Sequence, residues 1–223
     1  MISVAIVEDH QVLIDALKLM LQSEHDLRFS GAANTLKEAR PLLKVNQPDV
    51  LLLDIGLPDG DGLDLVSYVR EASPGTKIVI LTCLSNEPTL MRAIDSGVSG
   101  FVSKSGNLSE LLSAIRQAAE GEIVMPPSLL IGILRRMPRN KTVVYEEEQV
   151  WEKLTQREQE VLNCLASGMS GDDIASELNI ASLTVRTHVR NLMAKLGVHS
   201  RLEAVTFGLQ RGLIQSMPTT QMR

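Results

Sequence analysis

Short apolar runs alternate with amphipathic stretches five times within the first 120 residues of the chain. A strand that is apolar along its whole length is typical of a parallel sheet buried on both faces, and such a sheet needs helices on both sides. The alternation therefore predicts an α/β fold with a doubly wound, five-stranded parallel sheet. The predicted strands are 2–7, 27–31, 50–53, 77–81 and 100–102, and the predicted helices are 11–21, 36–45, 62–72, 87–96 and 108–120.

The rest of the chain follows a different pattern. Prolines and charged runs interrupt it between residues 122 and 153, as is typical of a linker. Four short helical patterns and no strand come after it, at 156–167, 171–178, 182–196 and 200–211. The 223 residues therefore predict two domains. These are the α/β domain over 1–122 and a second, smaller all-α domain over 154–215, joined by a linker with a short helix over 123–153.

Three of the predicted helices begin with a capping signal, in which a hydroxyl or amide side chain precedes a Glu by three residues. The pairs are Thr35 with Glu38, Asn107 with Glu110, and Thr155 with Glu158. The first side chain of such a pair accepts a hydrogen bond from a backbone amide of the first helical turn. The pairs therefore predict where these helices begin.

Nothing in the sequence predicts contact with a membrane. The longest apolar runs, such as 78–81, are far shorter than the roughly 18 residues needed to cross a bilayer. The amino terminus has neither a basic leader nor a small-residue cleavage site. Cys83 and Cys164 have a spacing that suits neither a metal site nor a disulfide scaffold. We therefore predict a cytoplasmic protein with no membrane partner.

Charge is distributed unevenly along the chain. Residues 1–122 carry 17 acidic and 10 basic side chains, whereas the stretch 184–201 carries four basic side chains and no acidic one. A local positive charge in an acidic protein favours a polyanionic partner. An ordinary solvated helix face is the alternative that charge alone leaves open.

Four of the predicted strands lead into polar residues. Glu8 and Asp9 follow the first strand, Asp54 the third, Thr82 the fourth and Lys104 the fifth. In a doubly wound sheet, functional groups gather beyond the carboxyl ends of the strands, so these side chains should share one pocket. Clustered carboxylates repel each other unless a cation joins them, and hard oxygen ligands suit Mg²⁺. We predict that Asp54 is a nucleophile towards phosphorus, that Mg²⁺ and Lys104 neutralise the phosphoryl oxygens, and that Thr82 donates a hydrogen bond.

The surroundings of this pocket resemble the receiver domain of two-component response regulators, which has a flavodoxin-like fold. The resemblance covers residues 1–122 and rests on four motifs in order, at 7–10, 51–62, 81–82 and 100–104. It implies that a sensor histidine kinase transfers a phosphoryl group to Asp54. It also implies that Mg²⁺ is held by Asp9, Asp54 and the main-chain carbonyl of Gly56, with Glu8 acting directly or through water. Glu8 departs from the family pattern, which more often has Asp at this place.

The same resemblance matches Thr82, Phe101 and Lys104 to the switch residues that transmit the phosphorylated state. A plain core aromatic is the alternative for Phe101. An aspartyl-phosphate hydrolase would also place an acid at a strand end, but its signature needs a second Asp where this chain has Gly56. We therefore predict a regulator and not an enzyme, with self-phosphorylation and self-dephosphorylation at Asp54 as its only chemistry.

The second domain resembles the LuxR-type helix-turn-helix over about 60 residues. Apolar residues at helical spacing can close one small core, and the opposite face of the helix 182–196 is polar. A helix fits the major groove, where Arg can read guanine edges and Thr can touch a thymine methyl. By family correspondence, base readout falls on Arg186, Thr187 and Arg190, beside Asn191, whereas Lys195 lies near phosphate.

Two residues of this domain, Ala181 and His188, require a separate prediction. Ala181 stands where the family has Ser at the start of the recognition helix, so if any side chain caps this helix it is that of Ser182 or Asn179. His188 shares a helical face with apolar residues, and we predict for it a role in packing or in positioning the helix on phosphate, and not in proton chemistry.

Together, the two resemblances identify a response regulator of the NarL/FixJ type, that is, a phosphoacceptor switch joined to a reader of DNA. They imply a cognate sensor histidine kinase, double-stranded promoter DNA and RNA polymerase as partners, and a homodimer when phosphorylated. The family's interface is formed by the first and fifth helices of the receiver. An interaction protein that signals without phosphate, or whose output is a protein contact, is the competing hypothesis.

Overall fold

The computed structural model describes residues 1–82, 87–125 and 154–214. The chain forms two compact units, residues 1–126 and 127–223, and each is described by itself. A search of the described residues finds no helix of sufficient length and apolarity to pass through a bilayer. The predicted short helix of the linker lies outside the described residues.

The first unit contains a five-stranded sheet in which every pairing is parallel. The spatial order is β2-β1-β3-β6-β7, so the chain starts in the interior of the sheet and winds outward in both directions. This confirms the predicted doubly wound fold. The strands are β1 (Ile2–Val7), β2 (Leu27–Ala33), β3 (Val50–Asp54), β6 (Lys77–Thr82) and β7 (Gly100–Ser103).

Helices cover both faces of this sheet. On one face, helices α1 and α5 share a core cluster with alternate strand residues such as Val4, Leu52 and Val79. The intervening residues Leu51 and Ile80 point to the opposite face and are fully buried as well. Burial on both faces explains why the strands are apolar along their length. The helices are α1 (Gln11–Ser23), α2 (Leu36–Asn46), α3 (Asp64–Ala72), α4 (Glu87–Asp95) and α5 (Leu108–Ala119).

The predicted capping pairs of this unit are confirmed. Thr35 Oγ1 accepts a hydrogen bond from the Glu38 amide at 3.2 Å, and Asn107 Oδ1 accepts one from the Glu110 amide at 2.9 Å. Each contact satisfies an amide that has no partner within its helix. The two helices consequently begin at Leu36 and Leu108, as the spacing predicts.

A small antiparallel hairpin, absent from the sequence prediction, follows β3. Its strands are β4 (Gly56–Leu57) and β5 (Gly60–Asp61), which are too short to show any periodicity. Just beyond it, the Gly62 amide donates to the Ile55 carbonyl at 2.7 Å, and a Cβ atom at Gly62 would lie 2.0 Å from the Asp54 carbonyl oxygen. This turn delays α3 to Asp64, two residues after the predicted start.

The segment after α5 also belongs to this unit. Val124 forms a parallel bridge with Gly100, and the Phe101 amide donates to the Val124 carbonyl at 2.7 Å. The Val124 side chain is buried in the same core cluster as α1 and α5. The residues that immediately follow 122 therefore extend the outer edge of the sheet beyond β7.

Helices account for the regular structure of the described part of the second unit. They are α6 (Gln156–Ala166), α7 (Gly171–Glu177), α8 (Ser182–Leu196) and α9 (Arg201–Gln210). Thr155 and Glu158 form the predicted capping box at the start of α6. Helix α8 contacts each of the other three, which confirms the predicted all-α unit. Of the predicted core, Leu178 is half-buried and the remaining residues are buried, namely Val161, Leu162, Leu165, Ile174, Val185, Val189, Leu192 and Leu196.

Candidate functional site

The carboxyl ends of four strands place the predicted pocket residues along one edge of the sheet. Asp54 is the last residue of β3 and lies opposite Leu81 of β6, and Thr82 ends β6 opposite Ser103 of β7. The Lys104 amide then donates to the Thr82 carbonyl at 2.9 Å. Parallel strands end at the same edge, so the register itself gathers these residues.

Lys104 joins two of the carboxylates. Its ammonium lies 2.8 Å from Glu8 Oε2 and 2.8 Å from Asp54 Oδ2. The Glu8 side chain is fully buried, and 12% of the Asp54 side chain is exposed. Partial burial lowers the pKa of Lys104, but hydrogen bonding and charge from Asp54 and Glu8 outweigh it and raise that pKa above its ordinary value. The side chain is therefore a cation at neutral pH, next to a partly accessible carboxylate.

A second cluster lies where β1 ends. His10 Nδ1 is 2.6 Å from Asp9 Oδ1 and 2.8 Å from Glu8 Oε1. The hydrogen bond to Glu8 and the charge of Asp9 raise the pKa of His10. Desolvation raises the pKa of Asp9, yet the charge of His10 and hydrogen bonds lower it overall. His10 directly precedes α1, and its contacts with both carboxylates were not predicted from the sequence.

The residues at this edge fit a divalent cation. Glu8, Asp9 and His10 place one ligand atom each within 4.8 Å of one another, which makes them the one such group among the residues that the structure describes. Glu8 Oε2 is buried, and the Lys104 ammonium lies 2.8 Å from it. Three carboxylates against one ammonium leave net negative charge, and their oxygens are ligands that Mg²⁺ prefers.

Asp54 and Gly56 are the other two residues predicted to hold Mg²⁺. Asp54 does not belong to the group of atoms within 4.8 Å, and it is connected to Glu8 through Lys104. Gly56 is exposed in the hairpin, and a Cβ atom there would lie 4.0 Å from Asp54 Oδ2. A side chain at position 56 would therefore make an ordinary van der Waals contact with the Asp54 carboxylate.

Two of the predicted switch residues, Thr82 and Phe101, differ in exposure. Thr82 is half-exposed at the end of β6, whereas Phe101 is 1% exposed within β7. Phe101 thus occupies a core position, and its amide is bonded to Val124. The two residues lie on strands that pair with each other, with Thr82 opposite Ser103 and Phe101 opposite Ile80.

The turn between α7 and α8 departs from the expected capping. Asn179 adopts a left-handed conformation with φ 51°, and Ala181 is the N-cap residue of α8 without a side-chain cap. Ser182 does not cap either, because its hydroxyl donates to Asp172 Oδ1 at 2.8 Å. Neither Ser182 nor Asn179 therefore caps this helix, which begins without a side-chain cap. The Ser182 contact instead ties the first turn of α8 to α7.

Helix α8 presents the three residues expected to read bases, and Asn191 beside them. Arg186, Thr187, Arg190 and Asn191 are exposed, whereas the opposite face is buried against the other helices. His188 is half-buried beside that face, in keeping with a packing role.

The predicted basic stretch 184–201 does not form a continuous patch of charge. Arg201 is buried, with 6% of its surface exposed. Lys195 Nζ lies 2.6 Å from Glu158 Oε2, and only 4% of the Glu158 side chain is exposed. Of the four basic residues in this stretch, the two exposed arginines are Arg186 and Arg190, and both belong to α8.

The Glu158–Lys195 pair is a feature that the sequence analysis missed. Glu158 Oε2 also accepts a hydrogen bond from the Thr155 amide at 2.7 Å. Burial raises the pKa of Glu158, but hydrogen bonds from Lys195 and Thr155 outweigh it and lower that pKa. The two residues are 37 positions apart, so no local spacing could indicate their contact.

Comparison with known families yields matches to both units. A family model described as the response regulator receiver domain matches residues 4–116, and a model described as bacterial regulatory proteins of the luxR family matches residues 152–207. The response regulator protein VraR of Staphylococcus epidermidis is 33% identical over 96% of this chain and 99% of its own length. VraR of Staphylococcus aureus is 31% identical with the same coverage.

Solved structures of response regulators are also similar to this chain. The response regulator ChrA of a heme-sensing two-component system is 28% identical, with a TM-score of 0.50 over 96% of this chain and 98% of that one. RcsB of Salmonella typhimurium is 24% identical, with a TM-score of 0.54 over 92% of this chain and 97% of that one. At that identity, the likeness to RcsB concerns the fold.

Proposed function

Because this chain belongs to the response regulators that join a receiver domain to a LuxR-type DNA-binding domain, we propose that Asp54 is its phosphoacceptor. The observation that carries this proposal is the Lys104 ammonium, which contacts Asp54 Oδ2 and the buried Glu8. Its charge lies where the oxygens of a phosphoryl group on Asp54 would need neutralising. A sensor histidine kinase is the proposed donor.

Residues of this chain would carry out the remaining steps of the transfer. A carboxylate oxygen of Asp54 forms the bond to phosphorus while the bond to the donor breaks. Thr82 would donate a hydrogen bond to a phosphoryl oxygen. Mg²⁺, when bound by Glu8, Asp9, Asp54 and the Gly56 carbonyl, supplies further neutralisation of charge. Self-phosphorylation would take the phosphoryl group from a small donor, and self-dephosphorylation would transfer it to water, with the Asp54 carboxylate as the leaving group.

The protein is a DNA-binding regulator of transcription. We propose that Arg186, Thr187, Arg190 and Asn191 read base edges from the exposed face of α8. A contact between Lys195 and a DNA phosphate stays a prediction. The ion pair of Lys195 with Glu158 competes with that contact. A cytoplasmic location and a contact with RNA polymerase complete the proposal.

We expect Arg190→Ala to lower affinity mainly for a specific site. A bidentate contact with a base contributes about 1–3 kcal/mol, so the loss should reach roughly 5- to 150-fold, with little change on random DNA. The measurement is a titration of the full chain on a duplex selected from a random pool and on a scrambled duplex of equal length. Arg190→Lys keeps the charge but not the paired donors, and it should behave like Arg190→Ala.

Arg28→Ala is the matched control for that titration, since it removes the same charge from an exposed position of the first unit. It should leave both affinities unchanged. Equal losses on specific and scrambled DNA for Arg190→Ala, with rescue by Arg190→Lys, would assign Arg190 to the phosphate backbone instead.

We propose further that phosphorylation promotes a homodimer. A single helix of this length offers few base-reading side chains, so two copies on two half-sites gain affinity from effective concentration. Helix α1 exposes Val12 and Leu19, with 84% and 68% of their surfaces accessible. These residues are seven apart and lie on one helix face, which provides an apolar surface for the predicted interface.

Addition of beryllofluoride, which mimics a phosphoryl group, should convert the chain from monomer to dimer in sedimentation velocity and raise its affinity for DNA. Leu19→Glu should keep beryllofluoride binding but block the dimer, because it places a charge in the apolar surface. Val45→Glu changes an equally exposed residue on α2 and serves as the control. A chain that stays monomeric and binds DNA tightly with and without beryllofluoride contradicts the switch.

A further inference from the structure

Leu183 is a large apolar side chain in the first turn of α8, with 74% of its surface exposed. Within residues 154–214 no other large hydrophobic side chain is exposed to this degree. A single exposed leucine is common on protein surfaces and by itself indicates nothing. The position of Leu183 on the helix is what gives it meaning.

Helical geometry places Leu183 in the middle of the base-reading face. At about 100° per residue, Thr187 lies roughly 40° to one side of Leu183, and Arg190 and Arg186 lie roughly 20° and 60° to the other. The buried residues of α8, such as Val185 and Leu192, lie on the far side. Leu183 therefore points away from the core, between side chains that donate hydrogen bonds.

The backbone around Leu183 is held in place. The Ser182 hydroxyl donates to Asp172 Oδ1 at 2.8 Å, and Thr187 Oγ1 donates to the Leu183 carbonyl at 3.0 Å. The other residues at this end of the helix, Ala181 and Thr184, have shorter side chains. Leu183 is thus the longest side chain that the first turn presents, and it does so from a fixed position.

We propose that Leu183 is a further specificity-determining residue, which packs against the 5-methyl group of a thymine in the major groove. This inference rests on the proposed DNA-reading function. The amino-terminal part of a recognition helix contacts base edges. The thymine methyl is the apolar group that the major groove displays, and leucine can neither donate nor accept a hydrogen bond there. The contact would favour thymine over cytosine at one position of each half-site.

The test combines a change in the protein with a change in the base. Duplexes are selected from a random pool with the full-length wild-type chain, and each thymine of the selected site is replaced in turn by deoxyuridine, which lacks only the methyl group. At one thymine per half-site, wild type should lose about fourfold in Kd, the factor expected for one methyl-sized apolar contact. Leu183→Ala should show the same affinity for both duplexes and match wild type on the deoxyuridine duplex.

Controls separate this role from others. Leu183→Met keeps an apolar side chain of similar length and should retain the preference for thymine. Val45→Ala shortens an exposed side chain in the first unit and should retain it too. An unchanged deoxyuridine penalty in Leu183→Ala at every sensitive thymine, or no sensitive thymine in wild type, overturns the assignment. Failure to enrich any duplex over random DNA would overturn the DNA-reading function itself, and the role of Leu183 with it.

Discussion

Asp54→Asn is expected to abolish phosphoryl labelling of the chain by acetyl phosphate. Asparagine has nearly the same shape, but its amide is not a nucleophile towards phosphorus, so no covalent product forms. Wild type should be labelled only when Mg²⁺ is present, because Glu8, Asp9 and Asp54 together place more negative charge at the pocket than Lys104 neutralises. The readout is incorporated phosphate by mass spectrometry of the intact chain.

Asp64→Asn provides the control for this experiment. It replaces an exposed carboxylate at the start of α3, the first helix after Asp54 in the chain. It should be labelled like wild type. Labelling that persists in Asp54→Asn, or that is equal in wild type with and without chelator, would show that the pocket has another chemistry. Circular dichroism of both variants should match wild type.

The sheet and its pocket could be predicted from sequence because both depend on local patterns. Continuous apolar strands such as Leu51–Leu53 indicate burial on both faces, and parallel strands bring the residues that follow them to one edge. The succession of strands alone therefore predicts that Asp54, Thr82 and Lys104 lie close together. The register of β3, β6 and β7 places them at one edge of the sheet.

Contacts between residues that are distant in the chain could not be predicted from local sequence patterns. The Asp59 carboxylate accepts hydrogen bonds from the Leu36 and Lys37 amides, at 2.8 and 3.0 Å, and helps to anchor the start of α2 from a loop that carries no periodicity. Local charge was misleading for a related reason. Arg201 and Lys195 count as positive in the sequence, but packing buries one and pairs the other with Glu158.

The contacts of His10 could be predicted only in part from the residues next to it in the sequence. The sequence Glu8-Asp9-His10 places three polar side chains in a row after a strand, and a strand would send alternate ones to opposite sides. The chain leaves the strand after Val7, so all three side chains meet at the same end. The polar composition of residues 8–10 is evident from the sequence. That their side chains meet could be predicted only if the end of the strand were known.

Lys195→Met is expected to destabilise the second unit strongly. The substitution keeps the length and the apolar stem of the side chain but leaves the Glu158 carboxylate, which is 4% exposed, without its cation. Removing one partner of a buried pair typically costs 3–5 kcal/mol, and because 35% of the Lys195 side chain is exposed we expect about 2–3 kcal/mol. Hydrogen exchange of α6 and α8 in the full chain measures the loss directly.

The matched double variant, Glu158→Gln with Lys195→Met, should recover most of that stability. It removes both charges, and a Gln side chain can still accept the hydrogen bond from the Thr155 amide. If Lys195 acts mainly on DNA phosphate, Lys195→Met instead leaves exchange unchanged and reduces the slope of log K against log salt by about 1. Measuring both quantities on one preparation decides between the two roles.

The pH dependence of stability provides an independent check on the same pair. The folded-state pKa of Glu158 is lowered, so the pair contributes stability at pH values above the unfolded pKa of a glutamate, about 4.3, and loses it as pH falls through the folded value. Wild-type α6 and α8 should therefore lose protection in acid. In the double variant, which has no carboxylate at position 158, this part of the acid sensitivity should disappear. Equal acid sensitivity in both proteins would mean that other carboxylates control the unfolding of this unit.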